Sequence, residues 1–247
     1  MKTKGKKILI GFLILIIVIS SAFFLYINDY YKATEEALLG LQSTATIEVS
    51  GEDPTLFYPQ NEELPNAGVI FYPGGKVESD AYSLFLNRIS QKGYAVFLVD
   101  MPFNLAVFDI DAAEDIIETN SHINEWYLVG HSLGGSMAAI FAEKTDKELA
   151  GLVLLAAYST VDLSQANFPV LSLYGSEDKV IARDKLLEYR DMLPDNHVEI
   201  VIQGGNHAQF GNYGPQKGDG KPTITSQKQQ KITIEQIYSF IDTNGSD

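Results

Sequence analysis

Hydrophobicity divides this chain into two regimes. Residues 8–27 run for twenty positions without a charge, whereas beyond residue 45 the apolar residues fall in short blocks. Blocks at 68–72, 94–99, 126–129, 152–156, 170–174 and 198–202 are rich in β-branched, aromatic and leucine side chains. They predict buried strands. Between them, the apolar spacing and composition of residues 82–91, 112–118, 136–143, 182–192 and 233–241 predict helices. Residues 45–49 alternate as a strand does, and 55–58 can pair back onto them through the Gly51-Glu-Asp-Pro54 turn. Continuously apolar strands separated by helices imply an α/β fold, with a mostly parallel sheet covered by helices on both faces. The weakly hydrophobic segment 216–230 reads as a surface loop.

The first regime reads as a transmembrane helix. At about 1.5 Å per residue, a twenty-residue helix spans about 30 Å, the hydrocarbon thickness of a bilayer. Lys2, Lys4, Lys6 and Lys7 precede it and Asp29 follows, which places residues 1–7 in the cytoplasm and the remainder outside. The rival reading is a cleaved signal peptide with Ser20 and Ala22 before the cut, but residues 23–27 carry the apolar run past that point. The expected organisation is a basic segment at 1–7, a signal-anchor at 8–27, a spacer at 28–42 and one folded domain at 43–247.

Charge and cysteine content narrow the setting. The 247 residues carry a formal charge of −14, and the four N-terminal lysines make the remainder more negative still. Such a field disfavours nucleic acid and anionic lipid surfaces as partners. The absence of cysteine excludes disulfides and a lipid-modified cysteine. No His, Asp and Glu cluster has ligand spacing, so neither a metal nor an organic cofactor is expected.

Candidate chemistry begins where the strand at 126–129 meets the helix at 136–143. Gly130-His-Ser-Leu-Gly134 fits G-x-S-x-G, in which a serine sits on a sharp strand-to-helix turn with its hydroxyl exposed. Ser132 is the candidate nucleophile, and a nucleophilic serine needs a base that is itself held by an acid. Of the four histidines, His122 and His197 precede strands, at the wrong end of a parallel sheet, and His131 adjoins the serine. His207 follows the last strand, at the carboxyl edge where such sheets present functional loops. Asp178, in Gly175-Ser-Glu-Asp178 after another strand, is the candidate acid, with Glu177 as its neighbour and alternative. Oxyanion donors are expected from the Leu133 amide and from Gly75 or Lys76 in the Pro73-Gly-Gly-Lys loop, between which the sequence leaves the choice open. Phe103, Asn104, Phe210 and Tyr213 are candidates to line the substrate pocket.

These four motifs, in the order Ser, Asp, His, resemble the α/β-hydrolase superfamily over about residues 43–243. The likeness is nearest to its compact bacterial, dienelactone-hydrolase-like branch. Pro73 departs from the pattern, standing where many relatives have histidine. The resemblance implies a serine hydrolase acting on a small-molecule or cell-envelope acyl ester, with thioester and amide substrates open. Only residues 158–168 lie where many relatives insert a helical lid, so an open site is expected. The alternative is a non-catalytic binding or scaffold protein on the same fold.

Overall fold

The computed structural model describes residues 2–60 and 64–245. The outermost residues of the expected segments, 1 and 246–247, lie outside that range. Two compact units are present, Met1–Tyr30 and Tyr31–Asp247. The first is a single helix, α1 (Lys2–Asn28), of which Gly5–Asn28 is long and apolar enough to cross a membrane.

In the second unit, eight strands form one sheet: β1 (Ile47–Ser50), β2 (Thr55–Pro59), β3 (Ala67–Tyr72), β4 (Ala95–Leu98), β5 (Glu125–His131), β6 (Gly151–Leu155), β7 (Val170–Gly175) and β8 (Val198–Ile202). Their order is β1-β2-β4-β3-β5-β6-β7-β8. β1 and β2 form an antiparallel hairpin whose second strand runs antiparallel to β4, and every later pairing is parallel. Of the helices, α2 (Glu35–Leu38) is one turn, followed by α3 (Ser83–Ser90), α4 (Ala113–Thr119), α5 (Leu133–Lys144), α6 (Arg183–Glu188) and α7 (Ser226–Asn244).

The sheet separates two cores. Val69 and Phe71 of β3, Tyr127 and Val129 of β5, and Val153 and Leu155 of β6 face one core, which α3 and α7 cover. Their alternates Ile70, Tyr72, Trp126, Leu128, Leu152 and Leu154 face the other, under α4 and α5. Both faces are buried, which is why these strands read as unbroken apolar runs. Each fully buried large apolar side chain contributes about 1.5–3 kcal/mol. The strand order reverses between β4 on one side of β3 and β5 on the other, so the loops after β3 and β5 diverge at the crevice where parallel sheets bind ligands.

Two expectations shift. Residues 31–41, read as spacer, belong to the folded unit: Tyr31 pairs with Val77, the Tyr31 N–H donates to the Lys76 carbonyl at 2.8 Å, and the Glu78 N–H donates to the Tyr31 carbonyl at 2.9 Å. The last helix starts seven residues before the predicted 233. Thr225 caps it, and Gln229 and Gln230 are buried although polar. Gln229 accepts the Asn206 N–H at 2.9 Å and donates to the Asn206 carbonyl at 2.8 Å, so its amide replaces a strand partner for the loop after β8.

Candidate active site

Ser132 is the single residue between β5 and α5, with φ 52° and ψ −122°. A non-glycine residue in that region costs on the order of 1–3 kcal/mol and persists only where its surroundings fix it. Here the Ser132 N–H donates to the Leu155 carbonyl of β6 at 2.9 Å, and the Ser136 N–H donates back to the Ser132 carbonyl at 3.2 Å. The helix starts three residues earlier than its sequence suggests because the turn has no room to spare. A Cβ on Gly134 would collide with the Tyr72 and Pro73 carbonyl oxygens of the β3 end, and one on Gly130 would collide with Gly135. Gly134→Ala is therefore expected to lower the melting temperature by about 2 °C or more, from an overpacking cost of roughly 1–3 kcal/mol. An unchanged melting curve would show that α5 can lift off β3 without cost.

The loop after β3 brings Gly75 against the first residue of that helix, where a Cβ on Gly75 would lie 2.8 Å from the Leu133 side chain. Among the described residues, neither the Gly75 N–H nor the Leu133 N–H donates to a protein acceptor. The Lys76 N–H is already committed, donating to the Asn104 carbonyl at 2.7 Å. Lys76, Phe103 and Asn104 all have positive φ, at 60°, 59° and 55°, so the two loops hold each other in strained geometry. Of the two donors the sequence leaves open, Gly75 is the one with a free amide.

His207, after β8, and Asp178, after β7, are 1 % and 2 % exposed, and His207 Nδ1 lies 2.9 Å from Asp178 Oδ2. The other carboxylate oxygen of Asp178 accepts the Val180 and Ile181 N–H groups at 2.8 and 2.9 Å. A carboxylate so occupied accepts a hydrogen bond from Nδ1–H, which leaves Nε2 as the basic nitrogen. Glu177 lies apart from this pair: its carboxylate accepts the Ser176 hydroxyl at 3.0 Å. Ser132 Oγ makes no hydrogen bond of its own among the described residues, and bonds between nucleophile and base are commonly long before substrate arrives.

His131 has a place the sequence did not signal. Its ring is buried, 4.7 Å from that of His207 and 5.6 Å from Phe210 between centroids. Burial, followed by the neighbouring His207, holds its pKa well below the usual histidine range, so it stays neutral. Tyr82 explains its orientation: the phenol oxygen accepts the Gly74 N–H at 3.1 Å and sits 2.8 Å from His131 Nδ1. Tyr82 thus ties the loop after β3 to the residue before Ser132.

The four candidate pocket residues divide. Phe103 is 49 % exposed and meets the exposed Phe108 edge-on at 5.5 Å, beside Asn104. Phe210 and Tyr213 are buried instead, packed behind His131, so they support the histidine loop from within and do not face solvent. Both rings, expected among the pocket lining, belong to the core under α3 and α7. Among the described residues, no group of three or more His, Asp or Glu side chains is placed to hold a metal ion.

Comparison with known proteins agrees with this architecture. The chain is 27 % identical over 204 residues to the protein ABHD14A of Rattus norvegicus, covering 72 % of this chain and 81 % of the relative. Est1E from Butyrivibrio proteoclasticus, solved with ferulic acid bound, superposes with a TM-score of 0.61 at 13 % identity, covering 81 % of this chain and 98 % of that one. A monoacylglycerol lipase from Paleococcus ferrophilus superposes with a TM-score of 0.57 at 14 % identity, covering 78 % and 99 %. At such identities the two structures speak for the fold alone. The Alpha/beta hydrolase family profile matches residues 68–231, from β3 through the histidine loop into α7. With the sheet order and the strand-to-helix turn in place, the chain belongs to the alpha/beta hydrolase family.

Proposed function

We propose that this hydrolase is a membrane-anchored, extracytoplasmic serine esterase. One observation carries the reading: a buried His207–Asp178 pair at 2.9 Å, on the same carboxyl edge of the sheet as a serine held at φ 52°. Ser132 Oγ attacks the acyl carbon while His207 Nε2 takes its proton, and Asp178 stabilises the resulting imidazolium. The negative oxygen of the tetrahedral intermediate accepts hydrogen bonds from the Gly75 and Leu133 N–H groups, neither of which donates to a protein acceptor among the described residues. His207 then returns the proton to the departing alcohol, and a water activated by the same nitrogen releases the acid from the acyl-serine.

Small or exposed acyl groups suit the site best, because residues 156–169, between β6 and β7, contain no helix that could form a lid. The test is turnover of p-nitrophenyl esters of increasing chain length by the full-length protein in detergent. A burst of alcohol release followed by slower steady turnover is expected, with short acyl chains favoured. No turnover of any ester would remove the assignment.

The location rests on the apolar run 8–27 of α1 and the four lysines ahead of that run. Full-length protein is expected in the membrane fraction, with residues 31–245 digested by protease added outside the cytoplasmic membrane. Recovery in the cytosol would contradict this. A soluble exported form starting near Phe23 would favour signal cleavage.

A further inference from the structure

The loop between the histidine loop and α7 was expected to cross the surface, yet it reaches into the seam between the acid and base loops. Asp219 lies there, and its two carboxylate oxygens serve different elements. Oδ2 accepts the N–H of Ala208, the residue after His207, at 2.9 Å. Oδ1 accepts the N–H of Lys179, the residue after Asp178, at 3.3 Å, along with the N–H of its own neighbour Gly220 at 2.7 Å. Gly220 completes the contact. Its carbonyl accepts Asn206 Nδ2 at 2.9 Å, and a Cβ there would collide with the Glu177 carbonyl oxygen, so this backbone fits the seam only without a side chain.

We infer that Asp219 is a positioning residue, a clamp that fixes the register between the loop carrying Asp178 and the loop carrying His207. This inference rests on the serine-hydrolase reading above. Asp178 and His207 belong to separate loops after β7 and β8, and beyond their own 2.9 Å bond the loops need a common support to keep the imidazole aimed. The Glu177 N–H donates to the Gly205 carbonyl at 2.8 Å on one side of the pair, and Asp219 supplies the matching tie on the other. A carboxylate suits this place because all three groups presented to its two oxygens, the Ala208, Lys179 and Gly220 N–H, are donors. An amide would accept on one side and set its own N–H against a donor on the other. Displacing a catalytic group by about 1 Å costs on the order of 10²-fold in rate, whereas Gly75, after β3, and Leu133, at the start of α5, lie on other elements.

Asp219→Asn in the full-length protein is expected to lower kcat about 10- to 100-fold with KM within about threefold. The rate of fluorophosphonate labelling at Ser132 should fall in parallel, with kcat expressed per labelled site. Glu188→Gln removes an equal charge at an exposed ion pair with Lys185 and is expected to leave kcat unchanged. If Asp219→Asn does not fold, Asp219→Ala, which removes both acceptor oxygens without adding a donor, is expected to give a loss in kcat of the same kind. A folded Asp219 variant with wild-type kcat per labelled site would overturn the clamp, as would a loss in KM alone. If Ser132→Ala retained full activity, the esterase reading itself would fail, and the two failures are therefore separable.

Discussion

Replacing Ser132 by alanine is expected to abolish ester turnover, by on the order of 10⁴-fold or more, while leaving the fold in place. The loss follows from removing the only atom that bonds to the acyl carbon. On the proposed mechanism the residual rate would come from the Gly75 and Leu133 amides, stabilising charge during attack by water. The fold survives because alanine meets the same backbone demand as serine at φ 52°. Glycine adopts that geometry without a Cβ penalty, so Ser132→Gly should be equally inactive yet more stable than Ser132→Ala, by roughly 1 kcal/mol. Retention of more than about a tenth of the wild-type rate would remove Ser132 from the mechanism.

Asp178→Asn is expected to cost nearly as much, about 10⁴-fold in kcat, for a reason visible in its hydrogen bonds. The Val180 and Ile181 N–H groups fix an acceptor oxygen on one side of the side chain. In the asparagine variant the carbonyl oxygen must therefore stay there, and the NH₂ turns toward His207 Nδ1. The imidazole then places its proton on Nε2, the nitrogen that should receive the serine proton. Glu177→Gln should change kcat less than about threefold, because its carboxylate is engaged with Ser176 and not with His207. Equal losses from the two substitutions would leave Asp178 without this role.

The fold was legible because burial on both faces of a sheet leaves a direct signature. The unbroken apolar runs at β3, β5, β6 and β7 need no distant information to interpret. The strand-to-helix turn was legible for a similar reason, since its glycines are demanded by close backbone approach that a local motif records. Other parts depend on partners far along the chain. Residues 31–41 read as a spacer because their hydrogen bonds go to Lys76, Glu78 and Asn212, which no local pattern reveals. Gln229 and Gln230 lower the apparent hydrophobicity of the last helix, yet both are buried, Gln229 against the Asn206 backbone. Phe210 and Tyr213 carried the right composition for a pocket wall, but only their packing against His131 shows that they face inward. That the Lys76 amide is taken by the Asn104 carbonyl, which favours Gly75 as the candidate donor, likewise depends on a contact no local pattern reveals.

The most direct test of a nucleophilic serine at this turn is reaction of the native protein with a fluorophosphonate, followed by digestion and mass spectrometry of the adduct. Modification is expected at Ser132 alone, lost in Ser132→Ala and slowed in Asp178→Asn. Labelling at another serine, or no labelling of folded protein at all, would contradict it.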